Sequence, residues 1–348
     1  MTGLALALDA MGGDHAPDMV VKGASLAQRR FPQVRFLLFG DAERLKPLLD
    51  KAPALREVAT IHHAEHAVRS DEKPSAALRT GRGSSMRLAI NAVHDGAAAG
   101  VVSAGNTGAL MAMAKFVLKT MPGVDRPAMA SFFPTLRGES VMLDLGANVQ
   151  CDANNLVQFA IMGNVFARTV LGTLHPSIGI LNVGSEDQKG HEYVREAAAI
   201  LRAMPLPGRF HGFVEGDDIA KGTVDVVVTD GFTGNVALKT LEGTAKLYSS
   251  FLRETFRSSL LARLGYLLAR PALNTLRVRT DPRRYNGAIF LGLNGVAVKS
   301  HGGADALGFA NAIGVAVDML VHRSLDKIRE DFAKLTERSV ANPQAVGA

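Results

Sequence analysis

The chain has no tryptophan, only four tyrosines and a single cysteine among its 348 residues. So few aromatic rings leave no stacking platform for single-stranded nucleic acid, and no nucleic-acid partner is expected. One thiol, Cys151, excludes an intramolecular disulfide framework and a cysteine-cluster zinc site. No uncharged apolar stretch approaches the ~20 residues that span a bilayer. The opening MTGLALALDAMGGDHAP has no basic segment before its apolar run and meets Asp9 within it. A secretory leader is therefore not expected, and a cytoplasmic location is. Also missing are a G-x-G-x-x-G dinucleotide fingerprint, a G-x-x-x-x-G-K-[ST] phosphate loop and a G-x-S-x-G elbow.

What is present is glycine, at 35 residues, and positive charge: the formal net is +6, with 47% hydrophobic and 21% charged residues. That balance is ordinary for a globular protein and admits anionic partners without choosing among them. Short apolar runs recur, each followed by a small-residue turn and a helical pattern: 4–10, 34–40, 100–105, 140–148, 178–186 and 224–235. Asp41 reads as a helix N-cap after the second of them. Alternating strands and helices with continuous apolar strands predict an α/β fold, a mostly parallel sheet covered on both faces. Residues 287–303 read instead as two strands around a turn at Asn294-Gly295. Residues 1–335 are expected to form one α/β unit, with a flexible tail over 336–348.

One segment stands apart. Tyr248, Leu252, Phe256, Leu260, Leu264 and Leu268 recur every four residues, and 251–284 holds eight arginines against two acids. Pro271 is expected to end the first helix, with a shorter one to about Arg279. One reading is a core helix with a solvated basic face. The other is a basic amphipathic hairpin over 245–284 that meets anionic lipid or an acidic partner. In that second reading Arg253, Arg257, Arg263 and Arg270 supply charge, and Leu260, Leu261, Leu264, Leu267 and Leu268 an apolar tip.

The turns carry the candidate chemistry. The stretch Ser103-Ala-Gly105-Asn106-Thr107-Gly108 offers backbone N–H groups and polar side chains where a helix begins, a setting for phosphate or an oxyanion. The alternative is a tight strand–helix turn capped by Asn106 or Thr107. Similar turns carry Gly12, Gly13 and Asp14; Asp144 and Asn148; Asn182 and Ser185; and Asp230, Gly231, Thr233 and Asn235. All follow strands, so all are expected at one rim of the sheet, forming a shared anion receptacle. Lys299 and His301 alternate at a strand end, a cation and an imidazole on one side. His62, Glu65 and His66 lack the zincin order and read as exposed loop residues. Asp9, Asp14 and Asp144 suit turns as well as magnesium, and no metal is expected. Cys151 is a weak nucleophile candidate without an evident activating neighbour.

Together LDAMGGDHAP (8–17), DEKPSAALR (71–79), SSMRLAI (84–90), VSAGNTGALMA (102–112), LDLGAN (143–148), NVGSEDQKG (182–190), DGFTGNVALKTLEG (230–243) and YNGAIFLGLNGVAVKSHG (285–302) resemble the phosphate acyltransferases of bacterial phospholipid synthesis. The resemblance implies a fold like the isocitrate/isopropylmalate dehydrogenase and phosphotransacetylase group, usually homodimeric and peripherally membrane-associated. It implies transfer of a fatty acyl group from acyl carrier protein to inorganic phosphate. The acyl phosphate formed would serve glycerol-3-phosphate acylation, with no dissociable cofactor. Within that reading the glycine turns hold phosphate and the thioester oxygen, and Lys299 neutralises phosphate. His301 either protonates the departing thiol or orients phosphate. The segment 245–284 offers acyl carrier protein or lipid a landing face. The alternatives are a phosphotransacylase that uses acyl-CoA, and a non-catalytic membrane scaffold of lipid synthesis.

Overall fold

The computed structural model describes residues 3–279 and 281–341. Eleven strands form one continuous sheet: β1 (Ala5–Asp9), β2 (Arg35–Gly40), β3 (Ala59–His63), β4 (Gly100–Ser103), β5 (Ala128–Thr135), β6 (Gly138–Leu143), β7 (Ser177–Leu181), β8 (Arg209–Val214), β9 (Val226–Val228), β10 (Ala288–Leu291) and β11 (Val296–Lys299). Their order is β3-β2-β1-β4-β11-β10-β5-β6-β9-β7-β8. The apolar runs become strands because alternate residues can bury on both faces. Leu6 and Leu8 enter one core and Ala7 the other.

One face carries α1 (Asp18–Arg30), α2 (Ala42–Asp50) and α3 (Pro53–Arg56), with α7 (Ala153–Phe166), α8 (Glu192–Ala203), α12 (Ala306–Val321) and α13 (Ser324–Ala341). The other carries α4 (Pro74–Thr80), α5 (Ser85–His94), α6 (Thr107–Leu118), α9 (Gly216–Lys221) and the first half of α10 (Gly231–Arg257). The α/β class with both faces covered is therefore as read. Asp41 caps α2, accepting from the Glu43 amide at 3.0 Å.

The single-rim expectation fails. Strands β1 to β4 and β11 run one way. Strand β10 is antiparallel to both β11 and β5, and β5 is antiparallel to β6. Strands β6, β9, β7 and β8 are parallel to one another. Three reversals thus leave the two halves pointing in opposite directions, and their C-terminal turns emerge at opposite rims.

Strand β5 was not foreseen because AMASFFPT carries serine and proline; nor was β8, whose RFHGFV mixes charge and glycine, nor β3. His62 and His63 lie in β3 rather than a loop, with His62 stacked on Phe39 at 4.8 Å. The β10–β11 register centres on Leu293 and Asn294, one residue earlier than expected. Asn294 is fixed by bonds to the Leu118 and Thr120 carbonyls, at 3.2 and 2.9 Å.

Pro271 does not end a helix. The chain bends at Ser258-Ser259, where Ser258 Oγ donates to the Thr255 carbonyl and Ser259 Oγ accepts from the Ala262 amide. These serines cap the ends of α10 and α11 (Leu260–Arg279), and α11 continues through Pro271. The last helix extends through six residues of the stretch read as a tail, 336–341; 342–348 lie outside the described residues.

A methyl at Gly234 would collide with the Asp144 carbonyl oxygen, because α10 starts directly against the 144–148 turn. Gly234→Ala is expected to destabilise the fold by about 1–3 kcal/mol, read as a lower urea midpoint with unchanged slope. An unaltered midpoint contradicts this packing.

Candidate active site

Three turns from the first half of the sheet meet at one rim. After β1, a Cβ on Gly12 would lie 2.7 Å from the Gly105 amide nitrogen, and one on Gly13 3.1 Å from the Gly302 carbonyl. The Asp14 amide donates to Gly302 O at 2.9 Å, and the Ser300 amide to Ser103 O at 2.9 Å. Glycine is required here because backbones touch. So Gly12, Gly13, Asp14, Ser103, Gly105, Asn106, Thr107 and Gly108 assemble with Lys299 and His301.

Several of the polar side chains are already occupied. Asp9 accepts from Ser85 and Ser103 hydroxyls, each at 2.6 Å, and burial pushes its pKa up. The Ser103 oxygen also accepts from the Gly105 amide at 3.0 Å. Asn106 caps α6 through the Ala109 amide and donates to the Ser70 and Glu72 carbonyls. The capping reading of Asn106 is therefore correct. What stays available is the N-terminus of α6 at Thr107 and Gly108, whose amides precede the helical ladder.

Lys299 is 8% exposed. Its ammonium donates to the Ser300 carbonyl and, at 3.5 Å, to the Ala104 carbonyl. Burial brings its pKa down to about 8; Lys239 adds to that, while Asp9 and Asp14 oppose it. At His301, partial burial of the ring holds the pKa below the usual imidazole value, with Lys239, Lys299 and Lys246 reinforcing and Glu242 opposing. The Gly303 amide donates to His301 Nδ1 at 3.1 Å. The neutral ring consequently carries its proton on Nε2 and presents a donor.

Asn286 was missed. Its Nδ2 donates to Ser300 Oγ at 2.8 Å, and its Oδ1 accepts from the His301 amide at 2.9 Å. It holds the turn that carries His301. Its place in the shared YNGAIF stretch was the available signal, but a 15-residue separation hid the contact.

The second half's turns leave the sheet in the opposite direction. Asp144 accepts from the Met129, Ala147 and Asn148 amides at 2.9, 3.1 and 2.6 Å, and from Asn148 Nδ2 at 2.9 Å. Asp230 caps α10 through the Thr233 amide at 2.9 Å, and the Gly231 amide donates to the Asn148 carbonyl. Asn235 lies against Gly146, Asn182 donates to the Lys189 carbonyl, and Ser185 is exposed in the 182–190 loop. Asp144 is buried with its oxygens taken up by these bonds, Asp230 is spent on capping α10, and the turns leave the sheet in the direction opposite to those around Lys299. Burial, Asp144 and Asp230 push the Cys151 thiol up to about 12, so it stays protonated and is no nucleophile. Among the described residues no cluster of His, Cys, Asp or Glu is set to hold a metal.

Helix α10 joins the rims. It starts against Asp144, packs Ala237, Leu238 and Leu241 on the sheet, and brings Lys239 and Lys246 to His301. Beyond residue 246 it projects with α11 as a hairpin. Leu260 and Leu261 are each 82% exposed, and Leu264, Leu267, Leu268, Arg253, Arg257, Arg263 and Arg270 are exposed too. Phe256 and Tyr266 close the two helices edge to face at 5.4 Å. The core-helix reading of this segment is thereby overturned. Among the described residues no helix is long and apolar enough to cross a membrane.

This architecture is shared with phosphotransacetylases. One from Staphylococcus aureus has a TM-score of 0.59 at 16% identity, covering 91% of this chain and 94% of that one. Another, from Streptococcus pyogenes, also scores 0.59, at 17% identity, covering 92% and 94%. At such identity the likeness defines the fold class alone. The sequence goes further: residues 4–326 match the model of the fatty acid synthesis protein family, and the chain belongs to that family. A phosphate acyltransferase from Rhodospirillum centenum is 69% identical over 99% of this chain and 98% of its own length. One from Paramagnetospirillum magneticum is 64% identical over 97% of each. The chain is accordingly an acyltransferase, which sets aside the scaffold alternative.

Proposed function

We propose that the protein transfers a fatty acyl group from acyl carrier protein to inorganic phosphate at the Lys299–His301 rim, giving acyl phosphate for glycerol-3-phosphate acylation. The observation that carries this is the buried Lys299 beside His301, where three glycine turns and the N-terminus of α6 converge. Phosphate acyl transfer is also what the names of the relatives describe. A hydrogen phosphate oxygen attacks the thioester carbon, forming a C–O bond. The C–S bond then breaks, and the sulfur leaves with the electron pair and takes up the proton that the phosphate carried. The balance needs no covalent enzyme intermediate and no dissociable cofactor. Lys299 neutralises phosphate, and the α6 amides and His301 Nε2–H stabilise oxyanion charge. Because a neutral imidazole parts with its proton reluctantly, His301 acts by orienting phosphate rather than by protonating the thiol.

The exposed basic and apolar hairpin serves as a landing face for an anionic membrane surface and for acidic acyl carrier protein, in a homodimer that associates peripherally with the membrane from the cytoplasm.

Purified protein, palmitoyl-acyl carrier protein and orthophosphate should yield acyl phosphate by mass spectrometry, at a higher rate than palmitoyl-CoA does. Lys299→Ala and His301→Ala should each lower kcat/KM for phosphate by roughly 10–100-fold, the value of a charge-assisted bond. Rates near the parent's would dismiss these roles.

Lys299 is charged below about pH 8 and neutral above it. The KM for phosphate should therefore rise as pH climbs through about 8, and Lys299→Arg should flatten that limb, since guanidinium keeps its charge. A parental KM constant across this range contradicts the assignment.

Co-sedimentation with phosphatidylglycerol vesicles should fall sharply in the double variant Leu260→Asp, Leu264→Asp, and with added salt. Both side chains are exposed, so the melting temperature should hold. Undiminished sedimentation excludes the hairpin as the membrane contact.

A further inference from the structure

A cleft of about 720 Å³ lies between α8, α9 and α10 over the ends of β7 and β9. Its walls include Phe133, Ile180, Leu181, Ile219, Val236 and Leu241. Helix α10 contributes residues 233, 236, 237, 240, 241 and 244, which is one face at helical spacing. Residues 239, 242 and 246 lie on a different side of the same stretch and set the field at His301. The cleft and the reacting turn thus flank one helix, whose width with side chains is about 10 Å.

The lining also states a charge preference. Among the described residues no lysine or arginine lines the cleft, and one end presents Asp230, held by Tyr193 Oη at 3.3 Å and Thr233 Oγ at 2.8 Å. The wall's described residues include one basic side chain, His191, but no lysine or arginine to neutralise a free carboxylate or phosphate head, which would meet a like charge at Asp230. An uncharged hydrocarbon meets walls whose exposed surface is mostly apolar, and the volume falls within the range of small-molecule sites.

We infer that this cleft holds the hydrocarbon tail of the acyl donor, a single fatty chain borne by an uncharged thioester. The inference rests on the acyl-transfer reading above and extends it: the rim handles phosphate and carbonyl, and the cleft handles the methylenes. Chain-length preference is accordingly set by the α10 face and Phe133, not by the Lys299 turn.

Thr240→Phe, at an exposed helix position, and Ala237→Phe, deeper in the wall, both shorten the cleft. Each should lower the ratio of kcat/KM for palmitoyl over butyryl thioester by at least tenfold. A pyrene-labelled long-chain alcohol should bind the parent, bind both variants at least tenfold more weakly, and outcompete the matching pyrene-labelled carboxylate. An unchanged chain-length ratio with unchanged alcohol binding overturns the proposal. So does preferential binding of the carboxylate, or a fall in native mass in both variants, which would make the cleft an interface between copies. If the parent makes no acyl phosphate from any thioester, the acyl-transfer reading fails, and binding of the alcohol still decides the cleft by itself.

Discussion

The reversal of strand direction at β10, β5 and β6 is the constraint on which the remainder of the molecule depends. A parallel sheet delivers all its C-terminal turns to one rim. Here the antiparallel strands in the middle split that set in two. The first half brings glycine turns, a buried lysine and a helix N-terminus together. The second brings carboxylates whose hydrogen bonds are satisfied by their own turns. Similar glycine-rich sequences thus do different work. Around Gly12, Gly105 and Gly302 they let three loops touch, whereas around Gly231 and Gly234 they let α10 start against Asp144.

The division makes α10 the organising helix. Its N-terminus is capped by Asp230 at one rim, and its middle separates the apolar cleft from His301 at the other. Its far half leaves the sheet to pair with α11. The returning chain then supplies Asn286, which grips Ser300 and His301. Both legs of the hairpin consequently end beside the turn that carries Lys299 and His301. The exposed basic and apolar hairpin is thus joined to that turn by two short covalent routes.

Much of this was legible in the sequence where the physics is local. The runs at 4–10 and 100–105 became strands because apolar residues alternate between two buried faces, and Asp41 and Asn106 cap helices because a short oxygen-bearing side chain reaches the orphan amides. The basic apolar segment was legible too, although its bend was misplaced at Pro271. Two adjacent serines end one helix and begin the next, a stronger punctuation than a proline that a helix absorbs. Asn286 and the pairing of Gly12 with Gly105 were not legible, since nothing in a linear string marks which distant loops touch.

The sequence by itself determined the α/β class, the caps, the glycine turns and the basic amphipathic character of 245–284, because each follows from periodicity or from contacts a few residues long. Only the tertiary structure decided which turns share a rim, which of their polar groups remain free, and on which side of α10 the cleft opens. Strand polarity depends on pairing between segments far apart in the chain, and the chemistry available at each turn depends on what that pairing leaves unbonded.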